Sequence, residues 1–316
     1  MRVLVIGRQG QVARSLIERA AGVPDLELIA VGRPDVDLEL EGSVSAAILA
    51  AKPELVINAA AYTAVDLAED EPERAFRINR DAAGEVAAAA ARVGAGIVQL
   101  STDYVFDGRS PRPYRESDEP HPLGVYGQSK WEGEQAVRKA NDRHLIIRTS
   151  WLYSPFGHNF VKTMLRLVGE REEVRVVDDQ VGCPTSALDL ADALLAIADM
   201  HRQGAAPAWG RTYHLAGGES CSWARFASEI FSTSAVIDGP SARIESISTA
   251  DWPTRAERPI NSILDCARAD GELSMRLQPY KQALPPIVAR LVVNRRSGDR
   301  SHSASTAQPI DEAAKE

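Results

Sequence analysis

Short aliphatic runs recur along the first half of the chain, and the stretches between them carry apolar residues at helical spacing. Residues 2–7 (RVLVIG), 27–31 (ELIAV), 54–61 (ELVINAAA), 96–102 (GIVQLST) and 144–150 (HLIIRTS) are apolar at successive positions rather than alternate ones. That is the pattern of strands covered on both faces. The spacing between them predicts helices over 11–21, 44–52, about 71–92 and 124–140. Strands alternating with helices imply parallel βαβ units, so an α/β fold with a doubly wound parallel sheet is expected.

The second half is less regular. Helices are predicted over 159–170, 186–200 and 223–231, and strands over 173–177 and 212–217, the last returning to the main sheet. The expected organisation is a nucleotide-binding domain of 1–150 plus about 186–217. A smaller, discontinuous α/β domain takes about 151–185 plus 218–290. From about Val292 the chain turns polar, and 291–316 reads as a disordered tail with nothing to build a core.

Bulk properties narrow the function class. The 316 residues carry a net charge of −8, with 44% hydrophobic and 25% charged residues, as in an ordinary globular protein of about two domains. The acidic balance argues against nucleic-acid binding. No stretch is apolar for long enough to span a bilayer, and the start MRVLVIGRQG lacks the features of a signal peptide, so a cytoplasmic location is expected. Cys183, Cys221 and Cys266 form neither a metal spacing nor a disulfide framework. Nor do the six histidines; of these only His158 falls near the expected reacting end.

After the first strand comes Gly7-Arg8-Gln9-Gly10-Gln11-Val12-Ala13. Glycines between a strand and a helix let the backbone approach a pyrophosphate, which the helix N-terminus then attracts. Dinucleotide binding is therefore expected here. At the tip of the second strand, Gly32-Arg33-Pro34 stands where an acid would mark NAD. Arg33 facing a 2′-phosphate favours NADPH, with NADH as the alternative; Asp37 falls near the adenine. The small residues Ala59, Ala60 and Ala61, before Tyr62, would let the cofactor lie against the third strand's end.

The fourth strand delivers Leu100, on the cofactor side, then Ser101, Thr102 and Asp103; on the next helix Tyr126 and Lys130 stand at i and i+4, on one face. A hydride arriving at a carbonyl builds charge on oxygen, which needs a proton donor and a second hydrogen bond. Tyr126 would give the proton, Thr102 would orient the oxygen, and the Lys130 ammonium would lower the phenol's pKa and hold the nicotinamide ribose.

This order of motifs resembles the extended short-chain dehydrogenase/reductases, whose fold is the Rossmann-type doubly wound sheet. The segments STDYVFDG, PLGVYGQSKWEGE, IIRTSWLY, GHNFVKTML, DDQVGCPTSALDLAD and WPTRAERPINSILD are similar to the dTDP-4-dehydrorhamnose reductase family, over about residues 1–285. The resemblance implies NAD(P)H-dependent reduction of the C4 ketone of dTDP-4-dehydro-β-L-rhamnose. It implies Thr102, Tyr126 and Lys130 as the catalytic trio. For the cofactor it implies Gly10, Gln11, Val12, Asp37, Leu38, Ala61, Tyr62 and Thr63, and for the sugar Thr102, Asp103 and Trp151. Arg258, in a loop with two prolines, suits the substrate diphosphate because its fork binds two oxygens. Some relatives pair through Mg²⁺; Ser15 stands where an acid would be needed and Asp189 alone cannot hold the ion, so a monomer or weak homodimer is expected. The competing readings are a related dTDP-deoxyketosugar reductase or epimerase, and a non-catalytic NADP-binding regulatory subunit like that of methionine adenosyltransferase.

Overall fold

The computed structural model of the chain describes residues 1–168, 172–204 and 208–302. In the first half, β1 (Arg2–Ile6), α1 (Gln11–Ala20), β2 (Glu27–Val31), α2 (Ser43–Ala51) and β3 (Leu55–Asn58) follow the predicted alternation. Next come α3 (Val65–Asp70), α4 (Pro72–Phe76), a π-helical turn (Arg77–Asp81) and α5 (Ala82–Arg92), then β4 (Gly96–Thr102), α6 (Val125–Ala140) and β5 (His144–Thr149). The single long helix expected over 71–92 thus runs without interruption from Pro72 to Arg92, with a π turn inside it. Such turns are rare and concentrate at functional sites, and alanine-rich sequence does not announce them.

All six strands of the main sheet are parallel, in the order β10-β5-β4-β3-β1-β2, with β10 at Arg211–His214. The direction of winding reverses between β1 and β3, and ligands of such sheets sit outside the strands' carboxyl ends at that reversal. The aliphatic runs are buried as their pattern requires: Val3, Leu4, Val5, Leu55, Val56, Ile57 and Ile97 are inaccessible to solvent. Each contributes on the order of 1.5–3 kcal/mol relative to exposure. One face of the sheet packs on α1 and on α8 (Ala187–Arg202), the other on α2 and α5.

A separate apolar cluster joins α7 (Phe160–Leu167), β7 (Glu173–Val177), α9 (Trp223–Val236) and α11 (Tyr280–His302). Here β7 pairs in parallel with β12 (Arg243–Ile247). Of the helix expected over 159–170, the last two residues lie outside the described residues.

The tail assignment needs correction at its start. α11 continues through His302, and only 303–316 lie outside the described residues. Val292 is buried in the second cluster and the Arg295 guanidinium donates to the Leu165 carbonyl at 2.7 Å, so packing carries the helix past the point where composition turns polar.

Candidate active site

The carboxyl end of β1 meets that of β3 at the winding reversal. Gly7 has φ +112°, which favours glycine, and a Cβ there would lie 3.3 Å from the Ala60 nitrogen. Gly10, by contrast, is exposed, and a Cβ on it would meet nothing within 4 Å. Helices α7, α8 and α9 begin with a side-chain cap, from Asn159, Ser186 and Ser222. Helix α1 begins at Gly10 without one. Open space at Gly10 and a helix N-terminus without a side-chain cap fit the pyrophosphate of a dinucleotide.

The rest of the crevice is held by buried amides. Asn58 accepts from the Ala60 N–H at 3.3 Å and donates to Gln99 at 2.8 Å. Asn79, on the π turn, accepts from the Tyr62 N–H at 2.8 Å and donates to the Tyr62 carbonyl and to the Ser129 hydroxyl, both at 3.0 Å. One side chain therefore ties the exit of β3 to the residue before Lys130. The one sign of Asn79 in the sequence is an asparagine inside an alanine-rich helix, where its amide competes with the backbone.

Arg33 stands exposed at the tip of β2, 4.0 Å from the Glu39 carboxylate, and Arg8 pairs beside it with Asp35 at 2.9 Å. Asp37 turns its carboxylate back on the Glu39 N–H. Val12, Leu38 and Tyr62 are buried, Ala61 is half-buried and Thr63 is exposed.

At the expected reacting end, the Thr102 hydroxyl donates to Asp103 at 3.0 Å and accepts from the Tyr104 N–H at 3.2 Å. The Tyr126 ring is half-buried and meets Tyr104 edge-on at 5.7 Å. Lys130 is buried, and its amine donates to the Leu100 carbonyl at 2.7 Å. Burial lowers the Lys130 amine to about 8, with Glu134 pulling the other way. Burial raises the Tyr126 phenol to about 12; the Asp103 carboxyl adds to the rise and the Thr102 hydroxyl partly offsets it. The expected lowering of the phenol by Lys130 is therefore corrected. Lost hydration dominates, and the amine is turned to a carbonyl rather than to the phenol. Asp103 is itself buried, which pushes its carboxyl up to about 7 against the opposing pull of the Ser262 and Thr102 hydroxyls.

Trp151 follows β5 with φ +45°. Its indole lies flat on Trp223, the first residue of α9, at 3.4 Å between ring centroids and 6° between planes. A Cβ at Gly182 would run into this indole, so glycine there clears its place. Arg258 does not stand free. Its fork grips both oxygens of Asp66 on α3, at 2.9 and 2.7 Å, and Asp66 also accepts from the Ala256 N–H at 3.0 Å. Arg255 pairs with Asp70 on the same helix. The loop is thereby latched beside Tyr104 and Tyr126. His158 is exposed, next to a loop held by Gln11, whose amide accepts from Ser154 and Asn159 and donates to the Leu152 carbonyl. Ser15 is buried and Asp189 bonds to Ser186; among the described residues, no group of three or more His, Cys, Asp or Glu side chains is placed to hold a metal ion. Among the described residues, no helix is long and apolar enough to cross a membrane.

The chain matches the RmlD substrate binding domain family over residues 1–293. A dTDP-4-dehydrorhamnose reductase of Sinorhizobium fredii is 44% identical over 293 residues, which cover 93% of this chain and 98% of that protein. The crystal structure of a dTDP-4-dehydrorhamnose reductase from Clostridium acetobutylicum superposes with a TM-score of 0.85 at 37% identity, covering 92% of this chain and 99% of the other. A Bacillus anthracis reductase of the same name, in complex with NADP, does so with a TM-score of 0.83 at 35% identity, with the same coverage. With identity and fold shared over nearly the whole length of each chain, this protein belongs to the dTDP-4-dehydrorhamnose reductase family.

Proposed function

We propose that this chain reduces the C4 ketone of dTDP-4-dehydro-β-L-rhamnose to dTDP-β-L-rhamnose, the last step in making that sugar nucleotide, with NADPH as the preferred reductant. The observation that carries the reading is that Thr102 ends β4 while Tyr126 and Lys130 share a face of α6, with Lys130 reaching the Leu100 carbonyl of β4. Gly7, Gly10, Gln11, Val12, Ala60 and Tyr62 would hold the pyrophosphate and adjoining parts of a nicotinamide dinucleotide, which would supply the hydride. The chain's own residues supply the rest. Tyr126 is protonated at neutral pH, as an acid must be, and releases its proton to the ketone oxygen. Thr102 donates a hydrogen bond to that oxygen. The Lys130 ammonium, seated against the Leu100 carbonyl, would hold the nicotinamide ribose beside them. The Trp151–Trp223 pair offers a flat apolar surface to the sugar ring.

The same reading assigns 1–150 plus about 186–217 to the cofactor, and about 151–185 plus 218–290 to the sugar nucleotide, in a cytoplasmic monomer or weak homodimer. The test is NADPH oxidation followed at 340 nm with dTDP-4-dehydrorhamnose made in situ. Tyr126→Phe is expected to lower kcat by about 10²–10⁴, the usual worth of a general acid, while still binding NADPH. A folded, NADPH-binding wild type that oxidises nothing with this ketosugar would refute the substrate assignment. Tightly retained NAD⁺ would instead mark an epimerase.

A further inference from the structure

Helix α6 places Tyr126, Lys130 and Glu134 at i, i+4 and i+8, one above another on the same face. Glu134 is inaccessible to solvent, which is rare for a carboxylate unless it is paired. Both its oxygens are engaged. Arg148 of β5 grips them at 2.9 and 2.8 Å, and Ser101 of β4, next to Thr102, donates at 2.6 Å. Arg148 is buried too, its guanidinium 5.1 Å from the Phe106 ring and 5.8 Å from that of Trp131.

The cluster has no place in the proton transfer, yet it binds α6 to β4, which carries Thr102, and to β5, which leads into Trp151. We propose that Glu134, locked by Arg148 and Ser101, is a positioning residue that keeps the Lys130 amine charged and seated against β4. Lys130 has here the role given to it in the proposed reduction.

The burial that lowers Lys130 is opposed by Glu134 alone. Other charged groups on elements packed against α6 are engaged elsewhere. Arg77 pairs with Glu85, Arg80 with Asp81 and Glu132, and Asp66 with Arg258, while Glu69 accepts from the Val125 N–H. Asp103, on the turn after β4, bears on Tyr126, and Arg138, on α6 itself, reaches Glu134 only at 3.5 Å.

The test reads Lys130 directly. The chain has only six lysines, so the protein labelled with ¹³C at the lysine ε carbon gives a spectrum simple enough to follow one signal with pH. The Lys130 signal is the one absent from Lys130→Arg. In Glu134→Gln its midpoint is expected to fall by about one pH unit, through loss of the opposing charge. An unchanged midpoint in the folded variant would overturn the inference. Removing one partner of a buried pair often unfolds a protein, so Glu134→Gln/Arg148→Met, which leaves no orphan charge, is measured as well. It is expected to fold with its midpoint below the wild-type value, and an unchanged midpoint there also refutes the role. The alkaline limb of kcat is expected to move with the signal. A signal that moves without the limb would remove Lys130 from the reduction and leave Glu134 as its positioning residue.

Discussion

His214 offers a sharp test of how burial sets charge in this fold. It lies at the end of β10, inaccessible to solvent, with Nδ1 3.1 Å from the Tyr114 carbonyl and its ring edge-on to Phe106. Burial, and then the nearby Arg148 guanidinium, push it from the ordinary 6.5 down to about 3. The folded protein therefore keeps this imidazole neutral, whereas the unfolded chain protonates it below pH 6.5. Stability from this group is full above the unfolded value, is lost as pH falls through it, and stops falling only near pH 3. At pH 5 the unfolded chain gains 1.5 pH units of proton affinity that the folded chain does not match, or about 2 kcal/mol at 1.36 kcal/mol per unit. The assay is urea unfolding of wild type and His214→Phe at pH 7 and pH 5. The wild type is expected to lose about 2 kcal/mol more than the variant between the two, because every other titrating group is common to both. Equal losses would show that His214 is not held neutral, and the burial argument would fall.

Three further outcomes follow from the site. Gly7→Ala forces a Cβ towards the Ala60 nitrogen at φ +112°; it is expected to cost about 1–3 kcal/mol in thermal or urea melts and to weaken NADPH binding in a fluorescence titration. Arg33→Ser removes the exposed cation at the tip of β2, and the ratio of kcat/KM for NADPH over NADH is expected to fall roughly tenfold, or about 1.4 kcal/mol. Asp66→Asn weakens the grip on Arg258. Because Asp66 is 43% exposed, stability is expected to change by no more than about 1 kcal/mol, while KM for the sugar nucleotide rises as the loop loosens; an unchanged KM would show that the latch has no part in binding.

The main sheet was legible in the sequence because a strand covered on both faces has only one way to look, and each such run here is apolar at successive positions. The glycine turn and the Tyr126–Lys130 pair were legible for the same kind of reason, since their spacing has geometric meaning by itself. What stayed hidden depends on neighbours distant in sequence. Asn79 matters only because a π turn aims it between Tyr62 and Ser129. Glu134 passes for a surface residue of WEGE until Arg148 is found beside it. The clue was in HLIIRTS, where an arginine inside a buried strand requires a partner. The direction of the Tyr126 shift is not legible from a neighbouring lysine charge, because loss of hydration on burial is the larger effect.

Strand order also bears on how the protein is made. β10 joins the sheet beside β5, although 61 residues separate Thr149 from Arg211. While the chain emerges from the ribosome, the outer edge of β5 has no strand to pair with until His214 has been synthesised. An aliphatic strand with one bare edge is a template for association between nascent chains. Fragments ending between residues 150 and 210 are thus expected to collect in the insoluble fraction, and those reaching past β10 to have this edge closed. Residues 1–150, although they contain the glycine turn and the proposed catalytic trio, are thus expected to fail as a module cut out and used alone.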